Sequence, residues 1–289
     1  MIMETNNDRQ TKSVFHLYSE GTQTHNLFKK ENDFVETMNI IAIASFVTGT
    51  KILAFCIMNN HFHFVVHCTE QQRDEFKKQI TSRCKRYVFD DKCPADIRWS
   101  YKEINDPEYF KTVVAYVMKN PQEAYYPYIT YDYPWSSASL YFRAPYIKKR
   151  TELFKTIGSF TQHRFREIVH SRVVLPSDWK ITPEGFIWPG SYIDSSKVEA
   201  YFKNATNLAF KINTGTKTLK TEISAKENKL NISDEELAQK AREIADDLFG
   251  TTKLSKLDNN QRLKIALELV SSYKCSIKAV NRTLHLTAQ

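Results

Sequence analysis

The clearest indication of the fold comes from the segment Ala54-Phe55-Cys56-Ile57-Met58-Asn59-Asn60-His61-Phe62-His63-Phe64-Val65-Val66. An apolar run of strand length over residues 51–58 is followed by the turn signal Asn59-Asn60 and by alternating residues over 61–68. A period of two is typical of a strand, so the stretch predicts a β-hairpin in an antiparallel sheet. The alternation assigns side chains to two faces: Phe62, Phe64 and Val66 to one, and His61, His63, Val65 and His67 to the other.

The chain around this hairpin predicts the order β-α-β-β-α-β-α. That order indicates an α+β fold, in which helices pack on an antiparallel β-sheet. Apart from the hairpin, the predicted strands are 14–18 and 97–104, and the predicted helices are 31–47, 70–89 and 105–120. The last helix begins at Asn105-Asp106-Pro107-Glu108 and is expected to stop at Pro121.

The second half of the chain predicts a mostly helical extension. Helices are expected over 150–172, 195–210, 233–250, 259–271 and 276–284, with a loop over 175–192 and a linker over 213–232. Residues 259–284 are similar to the opening of a helix-turn-helix, with a small helical appendage as the alternative. We therefore expect three regions: 1–145 as an α+β domain, which carries the candidate chemistry given below, 146–212 as a helix-and-loop extension, and 213–289 as a linker with helices.

Composition excludes several classes of protein. With 42% hydrophobic and 26% charged residues, the chain of 289 residues can bury a sizeable core. It has no apolar run near the length of a membrane span, no secretory signal and no glycine-rich phosphate loop, which argues against a nucleotide cofactor. Its five cysteines form no C-x-x-C pair, which fits a reducing cytosol. The expected location is cytoplasmic, in association with the nucleoid.

The positive charge is concentrated in one half of the chain. Residues 1–145 hold 17 Lys+Arg and 17 Asp+Glu, whereas residues 146–289 hold 24 and 16, which accounts for the whole net charge of +8. Such an excess favours a polyanionic partner, nucleic acid first, with a basic solvated surface as the alternative. Within the first half, the basic helix predicted over 70–89 offers four candidate DNA contacts: Lys77, Lys78, Arg83 and Arg86.

Two residue pairs carry candidate chemistry. His61 and His63 point the same way on a strand, about 6.6 Å apart along the chain, as two metal-binding imidazoles would. Incidental histidines on a solvent-facing sheet are the alternative. Tyr116 and Asn120 share one helix face, so a nucleophilic phenol would lie near an amide oxygen that can bind a hard metal ion. A packing tyrosine and a helix-terminal asparagine would give the same pattern.

The hairpin closely resembles the His-hydrophobic-His strand of the IS200-like (HUH-type) tyrosine transposases, most like their REP-associated branch. Three further segments agree in order and spacing. Residues 19–28 resemble the loop after the first strand, Tyr116-Val117-x-x-Asn120-Pro121 the catalytic-tyrosine helix, and Tyr133-Pro134-Trp135-Ser136-Ser137 the segment that closes the domain. The resemblance covers residues 13–141, and one departure is Asn59, where the family commonly has proline.

The resemblance implies the fold of an HUH nuclease, a ferredoxin-like sandwich, and an enzyme that cuts single-stranded DNA near hairpins. Tyr116 would attack a phosphodiester and form a 5′-phosphotyrosine, while His61, His63 and Asn120 would hold Mg²⁺ or Mn²⁺. Two imidazoles alone would favour Zn²⁺ or Cu²⁺, so the metal identity comes from the resemblance.

Several alternatives stay open at the level of sequence. A replication initiator or relaxase uses the same chemistry. A domesticated protein could bind hairpin DNA without transposition, and a regulator could act through the C-terminal helices. The chain could be a monomer or a homodimer, and Tyr116 could act within its own chain or across a dimer.

Overall fold

Four antiparallel strands form the centre of the first half: β1 (Ser13–Ser19), β2 (Lys51–Ile57), β3 (Phe62–Cys68) and β4 (Trp99–Glu103). They lie side by side in the order β2-β3-β1-β4. The structure is a computed structural model, which describes residues 11–19, 27–89, 97–124, 129–143, 149, 151–214, 234–273 and 277–286. The predicted hairpin is confirmed, because β2 and β3 pair antiparallel, with Cys56 opposite His63.

Helices cover both faces of this sheet. Helices α1 (Glu31–Thr48) and α2 (Glu70–Tyr87) lie on one face, where the ring of Phe64 meets that of Phe76 at 5.4 Å. Helix α3 (Pro107–Glu123) lies on the other face, which carries His63. The predicted α+β class and the order β-α-β-β-α-β-α are therefore confirmed.

Side chains at the helix ends explain where the helices begin and end. Thr69 opens α2 with a capping box: its hydroxyl accepts from Gln72 N–H at 3.2 Å, and its own N–H donates to Gln72 Oε1 at 3.0 Å. Helix α1 ends at Gly49, whose φ of 68° is a left-handed conformation that glycine adopts without strain. A Cβ at Gly49 would also lie 3.0 Å from the side-chain nitrogen of Gln72, so the α1–α2 contact favours glycine too.

The prediction that α3 stops at Pro121 is wrong. The helix runs on to Glu123, and Ala124 N–H donates to the carbonyl of Asn120 at 3.0 Å. Proline in the last turn removes only its own N–H from the helix, and the residues after it keep helical geometry. As a result, Asn120 lies inside the helix rather than at its end.

Residues 133–137 close the outer edge of β2. Ile57 N–H donates to Trp135 C=O at 2.9 Å, and Ser137 N–H donates to Phe55 C=O at 3.0 Å. The Tyr133 hydroxyl adds a bond to Ile57 C=O at 2.7 Å. An unpaired strand edge is thus covered by the chain itself.

The elements of residues 151–214 differ from those predicted. The helix expected over 150–172 is shorter, α4 (Gln162–Val169), because Thr161 caps its start. Before it, residues 155–156 pair with residues 180–181, which forms the strands β5 (Lys155–Thr156) and β6 (Lys180–Ile181). The loop expected over 175–192 accordingly contains β6. The helix expected over 195–210 is two helices, α5 (Ser195–Phe202) and α6 (Ala205–Thr214). Lys203, at φ 68°, breaks them apart.

This segment packs on the first half. Its apolar side chains cover Ala42 and Ile43 of α1, and α5 and α6 extend the main core. Asp194 N–H donates to Ile52 C=O at 2.9 Å, which ties the segment to β2. Helix α1 is consequently buried around its whole circumference from Glu36 to Ser45.

Three helices form a separate apolar cluster near the C-terminus: α7 (Asp234–Phe249), α8 (Asn259–Tyr273) and α9 (Ile277–Leu284). They match the predicted helices 233–250, 259–271 and 276–284 within two residues. The turn of the expected helix-turn-helix, residues 274–276, lies outside the described residues, as do most of the expected linker and the predicted boundary between residues 145 and 146. Those predictions stay predictions. The predicted boundary between residues 212 and 213 falls inside α6 (Ala205–Thr214).

None of the helices in the described ranges combines the length and apolar character needed to cross a lipid bilayer. Cys56, Cys68 and Cys84 are buried thiols, and Cys93 and Cys275 lie outside the described residues. Burial raises the pKa of Cys68 to about 11, which keeps it protonated and unreactive.

Candidate active site

The structure brings His61, His63 and Tyr116 together on the α3 side of the sheet. The rings of His61 and His63 are perpendicular, with centroids 4.8 Å apart. The ring of Tyr116 meets that of His63 edge to face at 5.3 Å and 84°. The alternative of a solvent-facing surface is wrong for these histidines, because His61 is 1% and His63 0% exposed.

The orientation of His61 is fixed by its neighbour Asn60. Nδ1 of His61 lies 2.7 Å from Oδ1 of Asn60, and Asn60 is fully buried. Because an amide oxygen only accepts hydrogen bonds, Nδ1 carries the proton. Nε2 is then the nitrogen with which His61 would coordinate a metal ion. A metal-binding histidine usually donates its other N–H to a fixed acceptor in this way.

His16 of β1 contacts the ring of His63. Nε2 of His16 lies 3.3 Å from Nδ1 of His63, and the two rings stack with centroids 5.5 Å apart. Burial, with a smaller contribution from Lys102, lowers the pKa of His16 to about 3, so this imidazole is neutral at physiological pH. Tyr18, directly opposite His63 in the sheet, stacks on the same ring at 6.0 Å.

Asn120 is buried one helical turn beyond Tyr116. Within the ranges that the structure describes, no hydrogen bond joins its amide to either histidine, and no three His, Cys, Asp or Glu side chains are grouped to hold a metal ion. The two imidazoles nevertheless fit a metal ion by their proximity and by the fixed proton of His61. A third protein ligand would have to be an amide such as Asn120.

Tyr116 is only 5% exposed. Most of this side chain is therefore covered by the protein. The second predicted family segment, residues 19–28, falls mostly on residues 20–26, which lie outside the described residues.

The four basic residues predicted to contact DNA have different surroundings. Lys77 already has partners within the protein, because its ammonium lies 2.7 Å from a carboxylate oxygen of Asp74 and over the ring of Tyr101. Lys78 is 76% exposed and lies 3.8 Å from Glu75. Arg83 and Arg86, near the end of α2, line a cleft with residues of the extension.

Sequence reasoning missed two residues of this site. The sequence identifies Asn60 only as part of a turn, and His16 is not among the residues predicted for the site. The alternation of His16 and Tyr18 on a predicted strand could have indicated that β1 presents polar rings to the same face as the histidine pair.

Comparison with known proteins gives one distant likeness. No protein-family model matches the chain, and no curated protein matches it either. Among solved structures, a match is "Structure of the REP associates tyrosine transposase bound to a REP hairpin". It has a TM-score of 0.34 and 15% sequence identity, and it covers 47% of this chain and 82% of the other.

Proposed function

We propose that the chain is a metal-dependent endonuclease and strand transferase that acts on single-stranded DNA beside hairpins, with Tyr116 as its nucleophile. The observation that carries this proposal is the contact of the Tyr116 ring with His63, beside His61. A tyrosine next to two imidazoles combines a nucleophile with candidate metal ligands in one small volume.

The covalent step would conserve the energy of the DNA bond. The Tyr116 oxygen attacks the phosphorus of a phosphodiester, the bond to the 3′ oxygen breaks, and that oxygen leaves as a 3′-OH with the proton that the phenol gives up. The 5′-phosphate stays on Tyr116. Attack by another 3′-OH reverses the step, so rejoining needs no nucleotide, in line with the lack of a phosphate loop in the sequence.

His61, His63 and Asn120 would hold Mg²⁺ or Mn²⁺. When bound there, such an ion would polarise the scissile phosphate and stabilise charge on the leaving oxygen. The remaining residues position this set: Asn60 fixes the proton of His61, and His16 holds the ring of His63.

The decisive experiment is a denaturing gel of the full chain with labelled single-stranded DNA hairpins from the flanks of its own gene, with Mn²⁺ or with EDTA. The wild type should form an adduct that survives SDS and needs the metal ion. Tyr116→Phe should form none. Tyr109→Phe is the matched control, because it removes a hydroxyl from the same helix, and it should form the adduct normally. An adduct that persists in Tyr116→Phe would contradict the assignment.

The burial of Tyr116 and His63 favours a second candidate, a hairpin-DNA-binding protein without transposition activity. This candidate predicts binding of the same hairpins with no adduct under any metal condition. The same gel, run beside a binding assay, separates the two functions.

A further inference from the structure

A basic cleft lies between the end of α2 and the end of α4. Its volume is about 800 Å³. The lining residues are Arg83, Arg86, Tyr87, Arg166, His170, Ser171, Arg172 and Val173. We call it the arginine cleft. Two of its four arginines come from the first half of the chain and two from the extension, so it exists only because the extension docks on α1 and α2.

The arginines of the cleft are not neutralised by the protein. Arg83 Nε donates to Gln79 Oε1 at 3.3 Å, and Arg166 Nη2 donates to Gln162 Oε1 at 3.4 Å. Arg86 lies over the ring of Tyr87 at 5.3 Å. Across the described ranges, no carboxylate forms an ion pair with any of the four arginines. By contrast, Arg164, on the same helix as Arg166 but outside the cleft, pairs with Glu167 at 3.1 Å.

A fixed pair of rings lies among these charges. The rings of Tyr87 and His170 stack with centroids 5.7 Å apart and planes at 15°. His170 ends α4 in a left-handed conformation, with φ 47° and ψ 38°, and its Nδ1 lies 3.0 Å from Oε2 of the buried Glu36. The ring is therefore held in place before any ligand arrives, and the chain turns there to carry Arg172 into the cleft.

Four uncompensated guanidinium groups around a stacked aromatic pair match the chemistry of a nucleic-acid strand. Guanidinium groups bind phosphate oxygens, and flat rings stack on unpaired bases. A volume of about 800 Å³ exceeds what one phosphate needs and suits several linked nucleotides. We propose that the arginine cleft binds consecutive phosphates of a DNA strand, with the Tyr87–His170 pair against an unpaired base.

The position of the cleft separates this strand from the one that would be cut. Helix α2 lies on the face of the sheet that carries Phe64, whereas Tyr116 lies on the opposite face with His63. The cleft would therefore anchor a different segment of the DNA from the scissile one. The inference rests on the proposed function in taking DNA as the ligand, but it does not need Tyr116 to react.

The test measures binding of a fluorescein-labelled DNA hairpin with a single-stranded tail over a range of salt concentrations. Arg166→Gln and Arg172→Gln together should weaken binding about tenfold and lower the slope of log affinity against log salt by about two. Arg164→Gln, which removes the same charge from α4 outside the cleft, should leave the slope unchanged. Arg166→Lys with Arg172→Lys should recover most of the slope, since the charge returns.

Adduct formation, measured on the same proteins, separates this inference from the proposed function. If the cleft variants bind as tightly as Arg164→Gln while the wild type forms the Tyr116 adduct, the cleft inference is overturned and the function stands. If binding weakens as expected but the wild type forms no adduct, the cleft inference stands without the function. A wild type that binds no DNA overturns both.

Discussion

The rings of His63 and Tyr116 meet edge to face, with centroids 5.3 Å apart and planes at 84°. The two residues lie on different elements, β3 and α3, and 53 positions apart in the sequence. Their contact places a potential nucleophile against one of two adjacent imidazoles. Each of the following predictions tests this site or the scaffold that supports it.

Loss of either histidine of the pair should weaken metal binding. His61→Gln and His63→Gln are each expected to lower the affinity for Mn²⁺ about a hundredfold or more, because a coordinating nitrogen is removed. Titration calorimetry on the DNA-free protein measures this directly. His67→Gln is the matched control, since His67 lies on the same strand but is partly exposed. The affinity of this variant for Mn²⁺ should match that of the wild type. Equal losses in all three variants would argue against a site at His61 and His63.

Asn60→Ala should act on the metal through His61. Without the amide oxygen 2.7 Å from Nδ1, the imidazole loses the bond that fixes its proton, and the affinity for Mn²⁺ should fall about 10-fold to 100-fold. The ¹⁵N spectrum of His61 provides a second measurement. It should show one tautomer in the wild type and a mixture in the variant. A wild-type mixture would contradict the proposed role of Asn60.

Asn39 should be a main determinant of stability. Its fully buried amide accepts from Ile187 N–H at 2.8 Å and donates to the carbonyls of Gly185 and Ile168 at 3.2 and 3.4 Å. Asn39→Ala leaves these groups without their partner and should lower the free energy of unfolding by about 3 kcal/mol. Urea denaturation measures the change. Asn213→Ala, which removes one exposed bond to Ala209, should cost less than about 0.5 kcal/mol.

Glu36 should make stability depend on pH. Burial raises the pKa of this carboxyl, although its bond to His170 opposes the shift. Because its folded-state pKa lies above the unfolded value, Glu36 adds most to the free energy of unfolding below its ordinary pKa of about 4.5. This stabilisation is lost as the pH rises through the folded-state pKa. The stability of Glu36→Gln relative to the wild type should therefore increase from about pH 4 to pH 7. Urea denaturation at several pH values measures it. A wild type that gains stability relative to Glu36→Gln with rising pH would contradict the prediction.

Truncation should show where the folding unit ends. The apolar cluster of α7 to α9 is separate from the main core, so a chain ending at Thr214 should unfold cooperatively, with a midpoint within about 3 °C of the core transition of the full chain. A chain ending at Arg143 uncovers the face of α1 at Ala42 and Ile43 and should lose cooperative unfolding. Thermal unfolding followed by near-ultraviolet circular dichroism distinguishes the cases. Cooperative unfolding of the shorter chain would instead support the predicted domain boundary at residue 145.

The sequence predicted best what depends on local spacing. The hairpin, the strand order along the chain and most helix starts follow from periodicity and from caps such as Thr69 and Asp106, which act within a few residues. The extension was predicted poorly because its structure depends on distant partners. Asn39 illustrates this, since the groups that make a polar residue acceptable inside α1 lie 129 to 148 positions away.

The candidate site was predicted in part. Spacing placed His61 with His63, and Tyr116 with Asn120. It also left a purely structural alternative for each pair, and only the resemblance joined the two pairs in one site. The structure brings Tyr116 to His63. The roles of His16 and Asn60 depend on ring orientation, which residue spacing cannot indicate.

Pro121 removes one backbone hydrogen bond from helix α3 without ending the helix. Having no N–H, it cannot donate to the carbonyl of Val117, so the turn with Asn120 is tied to the turn with Tyr116 by one hydrogen bond fewer, worth about 1 kcal/mol. Asn120 keeps its own N–H, so the helical hydrogen bond from Asn120 to the carbonyl of Tyr116 is unaffected by the proline. The proposed nucleophile and the proposed amide ligand therefore keep the one-turn spacing of a regular helix, although proline follows directly after them.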